Sequence, residues 1–90
     1  MGTITEKFIA NTTWREAKAG PADLVINIEK GLSYLVIGTT LPTNETNAML
    51  VRPVAGENYI NVLLATGDKM YFKAIRDESI LSWIAQDLTP

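Results

Sequence analysis

The sequence predicts an all-β fold: one small antiparallel β-sandwich domain of about eight short strands, spanning residues 1–90. Three observations carry this. Apolar residues recur with period two, as they do on strands with one buried face. Turn-forming residues interrupt that alternation every eight to twelve positions, the spacing of sandwiches and barrels. The only competing helical pattern is Asp77–Asp87, where Ile80, Leu81, Ile84 and Leu88 share a helical face. Strand is preferred there because Ser82, Trp83 and Ile84 crowd its middle.

The elements follow in order. Thr3–Ala10 reads as a strand with Ile4 and Phe8 among polar neighbours, and Asn11-Thr12 as a turn. Thr13–Lys18 forms a short strand carrying Trp14. Ala19-Gly20-Pro21 stops it, because glycine permits positive φ and proline cannot donate to a ladder. Asp23–Lys30 sets Leu24, Ile26 and Ile28 against Asn27 and Glu29, and Lys30-Gly31 turns the chain. Leu32–Thr40 carries apolar residues on both faces, which marks a central strand or one whose outer face meets a partner. Leu41–Asn47 is a polar loop. Ala48–Arg52 is extended up to Pro53, and Ala55-Gly56-Glu57 is a turn. Asn58–Ala65 sets Ile60, Val62 and Leu64 against Tyr59, Asn61 and Leu63. Thr66-Gly67-Asp68 reads as a hairpin turn. Lys69–Arg76 sets Met70, Phe72 and Ala74 against Lys69, Tyr71 and Lys73. After Asp77-Glu78, Ser79–Gln86 sets Leu81 and Trp83 against Ile80 and Ile84. Two packed sheets, connected along a jelly-roll or Greek-key path, accommodate this order.

Composition narrows the function. The chain has neither cysteine nor histidine. Disulfides, thiolate zinc sites and the commonest general base are therefore excluded. Its eight basic residues are dispersed and the net charge is −2, so no basic run exists to neutralise a row of phosphates and nucleic acid is not an expected partner. No apolar stretch approaches the ~20 residues that span a bilayer, so no membrane partner is expected. The Met1–Lys7 segment lacks the charge and apolar pattern of a secretory signal, which suggests cytoplasmic synthesis. The acids fall mainly at strand ends and turns. The one adjacent pair, Asp77-Glu78, would point to opposite faces of a strand. No spacing concentrates calcium ligands in one loop. No catalytic residue, metal or cofactor is expected. Asn11-Thr12-Thr13 and Asn44-Glu45-Thr46 match the glycosylation acceptor pattern and read as polar turns.

Trp83, among Ile80, Leu81 and Ile84, reads as core. Trp14, among Thr12, Thr13, Arg15 and Glu16, reads either as a plug at one end of the sandwich or as an exposed anchor. Tyr34, Tyr59 and Tyr71 read as core-edge residues.

The run Thr13-Trp14-Arg15-Glu16-Ala17-Lys18-Ala19-Gly20-Pro21, the strand Leu24–Ile28, and the stretch from Gly56-Glu57-Asn58-Tyr59 to Thr66-Gly67-Asp68-Lys69-Met70-Tyr71-Phe72-Lys73-Ala74 resemble the small accessory proteins of tailed-phage virions. The resemblance covers most of the chain. It implies a β-sandwich that decorates heads or forms the bases of fibres, with no cofactor or active site. The expected function is accordingly a virion structural protein, a head decoration, cement or fibre-attachment module, assembled in the host cytoplasm. Its expected partners are the major capsid protein or another virion protein. Copies of itself, as a trimer or pentamer, would protect edge strands. The segments expected at a partner interface are the first strand around Ile4 and Phe8, then Trp14, then the loop with Leu41, Asn44 and Asn47. The alternative is a carbohydrate- or receptor-binding module. It would stack sugars on Trp14 or a tyrosine and bind hydroxyls through Asn44, Asn47 or Asn58.

Overall fold

A computed structural model of the chain describes residues 3–46, 48–52 and 59–87. Within them lie eight strands: β1 (Thr3–Ala10), β2 (Arg15–Ala19), β3 (Ala22–Lys30), β4 (Ser33–Gly38), β5 (Met49–Val51), β6 (Tyr59–Leu64), β7 (Lys69–Ala74) and β8 (Ser79–Asp87). They form two four-stranded antiparallel sheets. Sheet A has the order β1-β8-β3-β6 and sheet B the order β2-β7-β4-β5. Every connection except β4–β5 crosses from one sheet to the other, which is the double Greek-key path of a jelly roll. The expected turn Ala55-Gly56-Glu57, together with Pro53, Asn47 and Asn58, lies outside the described residues.

The period-two pattern decides which residues enter the core. Ala22, Leu24, Ile26 and Ile28 of β3, Val62 and Leu64 of β6, and Leu81, Trp83 and Ala85 of β8 point inward from sheet A. Leu35, Val51, Met70, Phe72 and Ala74 meet them from sheet B. Burying each large side chain contributes about 1.5–3 kcal/mol relative to exposure. Phe72 sits at the centre, with ring centroids 5.8 Å from Phe8 and 6.3 Å from Trp83. These separations suit offset aromatic packing. The Asp77–Asp87 segment is a strand from Ser79 onward, because Leu81 and Trp83 are buried while Ile84 is not.

Two polar devices tie the sheets together. Ser33 Oγ on β4 donates to Ser79 Oγ on β8 at 2.6 Å, and Ser79 Oγ donates to the Leu32 carbonyl at 2.9 Å. Both serines are fully buried, so each hydroxyl needs the other. Along the β1/β2 side, the half-buried Glu6 carboxylate accepts from Lys18 Nζ at 3.1 Å and from Trp83 Nε1 at 3.3 Å.

Thr66-Gly67-Asp68 is a turn, with Gly67 at φ 91°, but it does not make a hairpin. β6 and β7 lie in opposite sheets. Their apolar rows, Ile60/Val62/Leu64 and Met70/Phe72/Ala74, enter the core from opposite sheets instead of lying side by side. The turn is locked where it stands. Asp68 N–H donates to the Ala65 carbonyl, Asp68 Oδ2 accepts from Ala65 N–H, and Gly20 N–H donates to the Asp68 carbonyl at 2.8 Å. A Cβ on Gly20 would collide with the Ala65 carbonyl and the Leu64 side chain, so the chain needs glycine at this corner.

Candidate interaction surface

The two outward faces differ in kind. On sheet B, strand register sets Lys73 beside Tyr34 and Tyr34 beside Leu50, and sets Tyr71 beside Val36 and Glu16. Trp14, just before β2, joins this face. Its ring lies 6.4 Å from Tyr34, and Lys73 Nζ stands 5.9 Å from its centroid. Tyr71 points outward yet is only 3% exposed. An outward residue is buried this deeply only if chain lies over it. The β4–β5 connection lies on this face: Glu45 pairs with Lys73, and residues 39–44 line a depression together with Val36. The hydrogen bond and charge of Lys73 hold the Glu45 carboxyl below its ordinary value, against a smaller opposing effect of desolvation.

Of the two readings of Trp14, burial decides for the plug. It is 8% exposed and plugs the outer face of sheet B, because Tyr34 and the Lys73 stem close over it. Its Nε1 is buried without an acceptor, a cost of about 1–3 kcal/mol that its packing offsets. Phe8, expected at a partner interface, packs against the core. It is half-buried, packs 6.0 Å from Trp83, and carries the Arg15 guanidinium 5.1 Å over its ring. Ile4 takes its place on β1 opposite Ala85. Leu41 is exposed, as expected of an interface residue. Asn44 is also exposed, but its Oδ1 accepts from Thr46 N–H at 3.0 Å, so part of its bonding capacity serves the loop. Asn47 lies outside the described residues.

Among the described residues, sheet A has no such cover. Across its outer face runs the row Thr5, Ile84, Val25, Asn61, and beside it the row Lys7, Ser82, Asn27, Tyr59. Beyond them Gln86, Asp23 and Leu63 form a third row. Leu63 is 69% exposed, Tyr59 68%, and Ile84 and Val25 about half. Thr5, Val25, Asn27, Tyr59, Ser82 and Ile84 line a shallow apolar trough. Tyr59 also walls a second depression between the sheets, with Ile28, Met49, Leu50, Val51 and Ile60. Exposed apolar groups are therefore contiguous from the middle of sheet A around the β6 edge to β5. Such continuity marks a surface built for contact, whereas scattered apolar residues do not. Charges border these apolar groups: Lys7 pairs with Glu29 at 3.8 Å, Asp23 stands in the row beside Leu63, and Arg52 lines the second depression.

Sequence reasoning missed Tyr59, Leu63, Val25 and Ile84 as surface residues. The signal was present. Val25 and Ile84 break the polar side of otherwise alternating strands, and an apolar residue on that side is what an uncovered contact face requires.

Among the described residues no group of three acidic side chains converges to hold a metal ion, and no helix is long and apolar enough to cross a membrane. No protein-family model, curated protein or solved structure matches the chain.

Proposed function

We propose that the chain is a non-enzymatic structural module of a virion. It decorates or cements a head, or attaches a fibre, by docking the outer face of sheet A onto a shell subunit. The observation that carries this reading is the bare apolar trough with Val25, Ile84, Tyr59 and Leu63, on a fold whose other broad face is covered by its own loop. Burying such a face stabilises a complex by about 25 cal/mol per Å² of apolar area, less the cost of immobilising the partner. Repetition over a lattice then raises the effective affinity of many weak contacts. The resemblance of the Trp14 strand, its Gly20-Pro21 turn and the aromatic β7 to tailed-phage accessory proteins supports the virion as the setting.

The test is co-sedimentation of purified protein with virions assembled without it. Saturable binding is expected, with a fixed number of copies per particle. No binding at micromolar concentrations would sink the reading.

One observation favours a second reading, a glycan-binding module. The Tyr59 ring stands exposed beside Asn27, Asn61, Ser82 and Thr5. An aromatic ring next to amides and hydroxyls suits stacking and bonding of a neutral sugar. Glycan-array binding that Tyr59→Ala abolishes, without binding to particles, would replace the first reading with this one.

A further inference from the structure

Each sheet of a sandwich has two edge strands, and an edge offers unpaired N–H and C=O groups to any passing strand. Three of the four edges here are blunted. β5 has three residues. β2 is bulged between Glu16 and Lys18 and carries three charges in five residues. β1 turns the half-buried Glu6 inward, held by Lys18 and Trp83. β6 has none of these devices. Its sequence Tyr59-Ile60-Asn61-Val62-Leu63-Leu64 contains no charge, proline or glycine. It pairs with β3 in unbroken register over six residues, and no described strand lies against its outer edge.

We infer that β6 pairs with β6 of a second copy, antiparallel about a twofold axis at Asn61. Sheet A then continues through the partner as one eight-stranded sheet. The sequence selects this register. It sets Asn61 opposite the partner's Asn61, a polar pair at the axis. It also sets Tyr59 opposite the partner's Leu63, twice by symmetry, on the outer face. Aromatic–aliphatic cross-strand pairs of this kind stabilise a ladder. It brings the two most exposed large apolar residues among those described against each other. Leu50 and Met49 of β5, next to Tyr59 across the second depression, approach the same seam.

Area points to a second copy as the occupant. Four strands at ~4.8 Å spacing, each about seven residues at ~3.3 Å, give one sheet A face on the order of 450 Å². A specific interface buries about 800 Å² per partner, and about 600 at the low end. One face falls short, and two joined edge to edge reach it. The joining wall itself is as thick as the molecule, 17 Å, by one of its longer dimensions, 31 or 38 Å. That is on the order of 600 Å² per copy, within the range of modest but specific dimers. The use of the joined face rests on the docking reading; the pairing does not, and its test needs no particles.

The experiment exploits the absence of cysteine. Residues directly opposite in an antiparallel pair have Cα atoms about 4.5–5.5 Å apart, inside the span of a disulfide. Asn61→Cys should oxidise to a covalent dimer at least ~10-fold faster than Val25→Cys, which is exposed on the same face but one strand in from the edge. Sedimentation velocity of the unmodified chain should show a concentration-dependent dimer. Asn61→Lys, which puts two like charges face to face, should shift the monomer–dimer midpoint at least ~10-fold upward without changing the circular dichroism spectrum. A monomer at every concentration, or equal cross-linking at positions 61 and 25, overturns the inference even if particle binding succeeds. A dimer that binds no particle leaves the pairing standing and removes the docking reading.

Discussion

The outer faces of sheets A and B start from similar sequence and end differently. Both central strands of each sheet carry apolar or aromatic residues on the side away from the core: Val25 and Ile84 on sheet A, Tyr34, Val36 and Tyr71 on sheet B. On sheet B the ten-residue connection between β4 and β5 folds back onto the face, pinned by Glu45 to Lys73, and Trp14 and Tyr71 on that face are buried. Sheet A has no comparable connection over it among the described residues, and its apolar groups stay open. An apolar outer face thus has two solutions, cover from the same chain or cover from another. This molecule uses the first on one side and leaves the second to a partner.

That contrast can be broken at several points. The largest effect is expected at the core the two sheets share. Phe72→Ala removes the ring that packs on both Phe8 and Trp83 and should cost about 3–5 kcal/mol in denaturant unfolding, more than any change on either face. Next is the buried serine pair. Ser79→Ala leaves the buried Ser33 Oγ without its partner, while the Leu32 carbonyl keeps only the Ile75 N–H, and should cost about 1–3 kcal/mol by the same measurement. Trp14 then separates packing from hydrogen bonding on the covered face. Trp14→Phe keeps most of the ring and deletes the Nε1 that has no acceptor, so stability should change by less than about 1 kcal/mol. Trp14→Ala should cost several times more.

The strand pattern was legible almost residue by residue because burial on one face imposes period two. The inward rows at Leu24/Ile26/Ile28 and Met70/Phe72/Ala74 emerge directly from it. The sheet order was not legible. Nothing local in Thr66-Gly67-Asp68 distinguishes a hairpin from a corner that sends the chain to the other sheet. That outcome is set by which apolar rows confront each other across the core, and such contacts lie far apart in sequence. The interaction surface was half legible. Leu41 and Asn44 were placed outside correctly. Trp14 was left open between plug and anchor, and the packing on Phe8 was not foreseen, because polar neighbours in sequence say nothing of the Tyr34 ring or the Arg15 guanidinium that pack on them.

The smallest effect concerns the pin of the covering loop. Glu45 has a lowered pKa in the folded protein through its bond to Lys73. Its stabilising contribution is therefore complete above the ordinary carboxylate pKa and fades as pH falls through the lowered folded value. Glu45→Gln should lower the melting temperature slightly at pH 7, and that difference from the unmodified protein should vanish in acid. A difference that persists below the carboxylate range would mean the loop is held by something other than this ion pair.

The exposed face of sheet A can be tested with one substitution that the fold tolerates. Ile84→Lys places a charge in the middle of the trough, at a position already half open to water. The melting temperature should stay within a few degrees of the unmodified protein, while co-sedimentation with virions lacking the chain should fall at least ~10-fold. A folded Ile84→Lys protein that occupies particles as fully as the original would contradict the account.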